Sequence, residues 1–411
     1  MNALYHIFIS FYAFGIKIAS LFNAKAKLWV DGRQHILQQI KSSIKSEDEM
    51  VWFHCASLGE FEQAKPVIEK LKNNFPAYKI LVTFFSPSGF EHRKNDSLID
   101  YVFYLPIDTK KNAKAFIKMV KPKMVFFVKY EFWFNYIMEL KRNNIPTYLI
   151  SGVFRENQLF FKWYGAWYKQ VLTGFTHFFV QNETSKNLLL QHHFSNVTLS
   201  GDTRFDRVFE NTQHPKKLSL IEQFKGNNIL LVGGSTWQPE EQILANYSKL
   251  YPNCKIIIAP HDISENHVLT IEKLFNQNCI RYSQANETNV NSQPVLIIDN
   301  IGLLANIYQY ADIAFVGGGF SGALHNILEP ASFGNVVLFG SKHQKFNEAQ
   351  KLIAAKGGFE VANEHDFKNT INVVLSDLTF YKNNSKKFVT DNVGATDTIL
   401  RFLLNFKKKT N

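Results

Sequence analysis

The chain has 411 residues, 45% apolar and 20% charged, a composition that excludes a disordered or collagen-like chain and leaves room for two or three domains. Its formal charge of +11 is unevenly placed: residues 1–200 hold 25 basic and 15 acidic side chains, residues 201–411 hold 21 and 20. The first half therefore calls for an anionic partner, whether nucleic acid, an acidic membrane surface or a phosphorylated substrate. Three scattered cysteines (Cys55, Cys254, Cys279) offer no disulfide framework and no zinc spacing.

From the N-terminus, ALYHIFISFYAFGIKIASLF (residues 3–22) is mostly apolar and close to the ~20 residues that span a bilayer. Lys25, Lys27 and Arg33 follow, with Trp29 among them. An apolar segment flanked by basic residues and an interfacial aromatic points to a membrane anchor or interfacial helix over 1–30, with the body on the cytoplasmic side. Spanning the bilayer and lying in its interface stay open, as does a helix packed on the domain.

The remainder alternates short apolar runs with amphipathic stretches. Strands are expected at Met50–His54, Lys79–Phe84, Tyr101–Leu105, Met124–Val128, Thr147–Ile150 and His177–Val180. In the second half they are expected at Ile229–Val232, Lys255–Ala259, Val295–Ile298, Ile313–Val316 and Val336–Phe339. Helical patterns lie between, such as Phe61–Asn73 and Asn112–Val120. Strand–helix alternation implies parallel sheets covered on both faces. The expected architecture is α/β, with two doubly wound Rossmann-like domains facing a cleft, over residues 31–210 and 211–395. The boundary falls in the polar, turn-rich Asp206–Asn227 stretch. A last helix over 396–411, ending in a lysine run, packs back on the first domain.

Ligands of open parallel sheets bind beyond the carboxyl ends of the strands, and the unusual residues of this chain follow strands. Met50–His54 runs into Ser57-Leu58-Gly59-Glu60. Ser57 and Glu60 have capping-box spacing, so Glu60 reads either as a helix cap or as a general base kept ionised by the helix N-terminus. Gly59 leaves room for a close approach. Met124–Val128 leads to Lys129-Tyr130-Glu131-Phe132-Trp133, a carboxylate among aromatics that either pairs with Lys129 or Arg155 or takes part in binding. In the second half, Gly233-Gly234-Ser235-Thr236 opens a helix and suits a phosphate or carboxylate, but is neither a dinucleotide nor a P-loop fingerprint. Ile313–Val316 leads to Gly317-Gly318-Gly319-Phe320-Ser321-Gly322, then His325, Asn326 and Glu329. Four glycines in six residues imply a backbone that approaches a ligand, and Glu329 reads as a solvated helix-face carboxylate or as an acceptor for ribose hydroxyls.

At this point the chain resembles the Kdo transferases, membrane-associated glycosyltransferases of the GT-B fold. The resemblance runs in order through FHCASLGE, TFFSPSG, YLPID, YEFWFN, FVQNE, GDTRFD, GSTWQPEE, IIAPHD and AFVGGGFSGALHNILEPASFG. It implies transfer of 3-deoxy-D-manno-octulosonic acid (Kdo) from CMP-Kdo to the lipid A precursor in lipopolysaccharide synthesis at the inner membrane. The first domain would bind the acceptor and the second the donor. By position it makes Glu60 the catalytic base and Glu131 a carboxylate important for activity and acceptor binding. It assigns Arg204, Ser235, Thr236, His261, Gly318, Gly319, His325, Asn326 and Glu329 to the donor. Three places depart from the family pattern. Phe134 replaces a Pro, Arg204 a Lys, and Ala259-Pro260-His261-Asp262 stands where Pro-Arg-His-Pro is usual. CMP already supplies a leaving group, so direct attack with inversion and no cofactor or bound metal is expected. The competing readings are a UDP-sugar transferase or epimerase of the same fold, a binding protein without chemistry, and a nucleic-acid binder. The absence of a recognisable nucleic-acid module weighs against the last.

Overall fold

The computed structural model describes residues 2–251 and 254–410. It divides into two compact units, residues 1–207 with 394–411, and residues 208–393. Each is built on a seven-stranded parallel sheet.

The first sheet contains β1 (Met50–Cys55), β2 (Lys79–Phe84), β3 (Tyr101–Tyr104), β4 (Met124–Val128), β5 (Thr147–Gly152), β6 (His177–Val180) and β7 (Val197–Leu199), in the order β3-β2-β1-β4-β5-β6-β7. All six residues of β1 are buried, as a strand covered on both faces requires. The pleat sends Met50 and Trp52 to one face, where Phe116, Phe127 and Tyr136 pack. Val51, Phe53 and Cys55 go to the other, against Phe61, Ala64 and Ile68 of the helix Leu58–Asn74. The C-terminal helix Ala395–Thr410 buries Ile399 and Leu403 on that second face. Its start is fixed by Asp206, which accepts from the backbone N–H groups of Gly394 and Thr396 and from the Thr396 hydroxyl. The side chains of its lysine run lie outside the described residues.

The second sheet contains β8 (Leu230–Thr236), β9 (Lys255–Pro260), β10 (Cys279–Arg281), β11 (Val295–Ile297), β12 (Ile313–Val316), β13 (Val336–Gly340) and β14 (Gly358–Val361), in the order β10-β11-β9-β8-β12-β13-β14. Every strand expected from the sequence is present. The three additional ones, β7, β10 and β14, are short edge strands. The stretch expected as a turn-rich boundary is largely helical, Thr203–Gln213 and Ser219–Lys225, because Phe205, Val208, Ile221 and Phe224 bury one side of it.

The N-terminal segment is a helix, Asn2–Ala19, packed on the first unit along one side. Ile9 is buried, the Tyr5 hydroxyl donates to Asp108 at 2.5 Å, and Tyr12 stacks on Phe85. The opposite side exposes Phe8, Phe11, Phe14 and Ile18, Phe11 to 71%. No helix among the described residues is long and apolar enough to cross a membrane. Arg33 is turned inward: its guanidinium donates to the carbonyls of Trp29, Phe85 and Leu105 and lies 3.9 Å over the Trp29 ring.

Candidate active site

In each sheet the strand order reverses once, between β1 and β4 in the first and between β8 and β12 in the second. Such a reversal splays the loops that follow the two strands apart and opens a crevice at their carboxyl ends. Glu60, Glu131, Ser235, Thr236 and the residues Gly318 to Glu329 lie at or after the ends of these four strands, whereas His261 follows β9 and Arg204 follows β7.

In the first unit, Glu60 follows β1 and Glu131 follows β4. Glu60 accepts from the Ser57 backbone N–H at 2.9 Å, so the capping contact expected from the spacing is made. The cap does not leave Glu60 an ordinary carboxylate. Burial, and then the neighbouring negative charge of Glu131, push its pKa up to about 7, against the opposing pull of the Ser57 N–H and Lys129. The direction is opposite to that expected from a helix N-terminus alone. A carboxyl that exchanges its proton near neutrality is suited to general-base work. Gly59 beside it is exposed, and a side chain there would meet only the Ser57 hydroxyl, at an ordinary contact distance of 3.9 Å.

Glu131 is buried, and its partners are neither Lys129 nor Arg155. Its Oε2 accepts from the Trp133 indole N–H at 2.6 Å and lies 3.1 Å from His54 Nε2. His54 is fully buried, and its Nδ1 lies 2.9 Å from the Thr83 hydroxyl, which itself accepts from the Trp52 indole N–H at 2.8 Å. The register explains the meeting: on β1 and β2, His54 and Thr83 are direct partners. Arg155 instead donates to the Tyr130 hydroxyl at 3.2 Å. Lys129 at the end of β4 and Ser151 at the end of β5 hold positive φ, 66° and 51°. This is backbone strain of the kind that collects at functional sites. Phe134, where the family pattern has Pro, starts the helix Phe134–Arg142. Its N–H points to the Tyr5 hydroxyl at 3.4 Å and its ring stacks on Tyr168, contacts that tie the N-terminal helix to this loop.

The GDTRFD segment also belongs to the first unit. Arg204 forms a fork to Asp202, with Nε at 2.9 Å and Nη2 at 2.7 Å from Oδ2, close to Tyr130. Thr203 donates to the Gln63 carbonyl and meets Ser151, which locks the segment onto the Leu58–Asn74 helix.

In the second unit, the loop after β8 and the loop after β12 interlock. Ser235 holds φ 50°. Thr236 is buried and donates its hydroxyl to Glu241 at 3.0 Å, which also contacts His267. The Gly318 N–H donates to buried Glu240 at 3.0 Å. The glycines of this loop are explained by the protein's own backbone. A side chain on Gly317 would strike the Ser235 carbonyl, one on Gly319 would strike Gly340, and Gly318 has φ 83° with the Ala323 carbonyl against it. The loop's own packing is enough to require glycine at Gly317, Gly318 and Gly319. The exposed features are different: the rings of Trp237, His261 and His325 stack at centroid distances of 4.6 Å, with the indole N–H of Trp237 donating to His325 Nε2 at 3.3 Å. Burial and His261 lower the His325 pKa. Beside the stack, the Asn326 amide donates to Glu329 at 3.0 Å, which fixes that carboxylate next to the loop. Asp262, the charge reversal noted in the sequence, accepts from the backbone N–H and the hydroxyl of Ser264 and so closes a local turn. Among the described residues no group of three or more His, Cys, Asp or Glu could hold a metal ion.

Residues 31–207 match the family described as 3-Deoxy-D-manno-octulosonic-acid transferase (kdotransferase). The chain is 26% identical over 377 residues to the 3-deoxy-D-manno-octulosonic acid transferase of Rickettsia bellii, covering 87% of this chain and 88% of the relative. It is 28% identical over 345 residues to that of Aquifex aeolicus, covering 82% and 89%. A bifunctional glycosyltransferase/methyltransferase of Fusobacterium nucleatum is 26% identical over 368 residues, and there the chain spans only 56% of the relative's length. Among solved structures, the UDP-GlcNAc 2-epimerase of Neisseria meningitidis superposes with a TM-score of 0.61 at 17% identity, over 87% of this chain and all of that one. This is a likeness of fold alone. Residues 31–207 thus match the 3-deoxy-D-manno-octulosonic-acid transferase family, and the chain is similar across most of its length to several transferases of that name at 26–28% identity.

Proposed function

We propose that this protein transfers Kdo from CMP-Kdo to the lipid A precursor, with inversion at the anomeric carbon and without a cofactor. The observation that carries the proposal is the pair of carboxylates at the β1/β4 reversal, buried Glu131 and half-buried Glu60, the latter with its pKa pushed up to about 7. In this reading an acceptor hydroxyl attacks the anomeric carbon of the donor. Its proton passes to Glu60, the bond from that carbon to the phosphate oxygen breaks, and CMP leaves with the electron pair. Glu131 supports Glu60 and faces the acceptor. Ser235, His261, His325, Asn326 and Glu329 contact the donor, over a backbone shaped by Thr236, Gly318 and Gly319. Arg204, which carries its positive charge in a fork to Asp202, faces an anionic group of the substrates.

The acceptor is a phosphorylated lipid, and the exposed aromatic side of the Asn2–Ala19 helix suits a helix lying in the interface at the cytoplasmic face of the inner membrane. Trp163, 90% exposed, and Tyr164 next to it are a further exposed aromatic pair of the same unit. The test is purified protein incubated with lipid A precursor and either CMP-Kdo or UDP-sugars, the products resolved by mass. A mass increase of Kdo from CMP-Kdo alone supports the proposal. Turnover of UDP-sugars with none of CMP-Kdo replaces it with the UDP-sugar reading.

A further inference from the structure

Three ring-bearing residues of the second unit meet although they follow different strands: Trp237 after β8, His261 after β9 and His325 after β12. The backbone of each is pinned. The Trp237 N–H donates to Glu240 at 3.1 Å, and the same buried carboxylate accepts from the Gly318 N–H at 3.0 Å. The His261 N–H donates to the Thr236 carbonyl at 2.9 Å, and the His325 N–H to the Gly317 carbonyl at 3.1 Å. The His261 ring lies against both of the others, with centroids 4.6 Å away and planes inclined by 31° and 26°. The Trp237 indole N–H, 3.3 Å from His325 Nε2, meets the edge of that ring. An indole nitrogen only donates, so Nε2 must accept, and the single ring proton of neutral His325 sits on Nδ1. Burial and the neighbouring His261 lower the His325 pKa, which favours the neutral ring. No described residue hydrogen-bonds Nδ1, and that atom is not buried, so its N–H is open to a ligand.

We propose that Trp237 is a positioning residue for the donor: its indole N–H occupies His325 Nε2, holds the ring as the Nδ1–H tautomer, and so presents that N–H to an anionic oxygen of the sugar nucleotide. The inference rests on the reading of this loop as the donor site. A neutral histidine without such a partner favours its proton on Nε2, and Nδ1 then offers a lone pair where the anion needs a proton. The tautomer therefore decides whether His325 attracts or repels the donor. The oxygen belongs to the phosphate or to the carboxylate of the sugar nucleotide, both ionised acceptors of the same kind. Stacking on His261 does not need the indole N–H, so the two contributions of Trp237 can be separated. Trp237→Phe keeps a ring against His261 and removes the N–H.

The experiment uses the full chain with its histidines labelled with nitrogen-15, as wild type, Trp237→Phe and His325→Gln, the last to assign the His325 signals. Nitrogen NMR reads the tautomer, calorimetry the Kd for CMP, and steady-state kinetics with lipid A precursor the KM for CMP-Kdo. A thermal melt checks the fold of each variant. In wild type His325 carries its proton on Nδ1, with Nε2 unprotonated. In Trp237→Phe the proton moves to Nε2 in a large share of the molecules, and affinity for the donor falls roughly three- to tenfold, the scale of one hydrogen bond. If the acceptor is a phosphate oxygen, the Kd for CMP and the KM for CMP-Kdo rise together; if it is the carboxylate, only the KM rises. A wild-type ring protonated on Nε2 overturns the proposal, and that result needs no variant. So does a folded Trp237→Phe protein that loses affinity while His325 keeps its Nδ1 proton, which makes Trp237 a stacking surface alone. A changed tautomer with Kd and KM both unmoved overturns the role in donor binding. Wild type that shows the Nδ1–H tautomer but binds neither CMP nor CMP-Kdo overturns the donor reading itself, and the inference with it.

Discussion

At the strand-order reversal of the first sheet, two carboxylates stand close together in a buried setting, and the polar groups around them point at those carboxylates. At the equivalent reversal of the second sheet, the buried carboxylates Glu240 and Glu241 point at the protein's own loops, to the Gly318 N–H and the Thr236 hydroxyl. The exposed groups there are stacked rings and the Asn326–Glu329 pair. One topology thus serves two purposes. In the first unit it raises the proton affinity of a single side chain; in the second it fixes a loop so that weakly charged groups face outward. The first arrangement suits proton transfer, the second the binding of a small anionic donor.

Substitutions can break this contrast in graded ways. Glu60→Gln removes the base and is expected to lower kcat by roughly a hundred- to ten-thousandfold, while CMP binding, measured by calorimetry, stays at the wild-type level. Gly318→Ala acts only on the second unit, where φ 83° and the Ala323 carbonyl oppose a side chain. It should cost about 2 kcal/mol of stability, read as a lower melting temperature, together with loss of CMP binding. Glu131→Gln leaves CMP binding intact and shifts the acid limb of kcat downward from about 7. The smallest effect concerns stability against pH. A carboxyl raised in the folded state stabilises the fold fully below its unfolded value, and that contribution is lost as pH rises through the folded one. Glu60, raised from 4.5 to about 7, and Asp108, raised from 3.8 to about 6, therefore both make the first unit less stable between pH 4 and 7. The Glu60→Gln variant should show a shallower decline in denaturant midpoint across that range.

The sequence made the frame of this contrast legible because central parallel strands are buried on both faces and read as apolar runs: β1, β2, β4, β9 and β12 are examples. The edge strands β7 and β10 have no fully buried residue, so they carry no such run. The positions of Glu60 and Glu131 were legible as residues following strands. Their partners were not, because they depend on register. His54 sits inside an apolar strand and meets Thr83, 29 residues away, only through the pairing of β1 with β2. The packing of the glycine loop was hidden for the same reason: the clashes that demand Gly317, Gly318 and Gly319 come from Ser235, Ala323 and Gly340, which only the fold brings there. Arg33 shows a similar limit, since a basic residue beside an apolar helix is turned inward by three carbonyls that no local pattern reveals.

The central claim is that the β1/β4 pair gives Glu60 a proton affinity matched to neutral pH. Carbon-13 NMR titration of the side-chain carboxyls tests it directly, in wild type, Glu60→Gln and Glu131→Gln. The expected result is one carboxyl titrating near 7 that is absent from Glu60→Gln and moves to lower pH in Glu131→Gln, with Asp108, near 6, unchanged in both. A Glu60 carboxyl titrating in the ordinary range around 4, or a resonance near 7 that persists in Glu60→Gln, would contradict it.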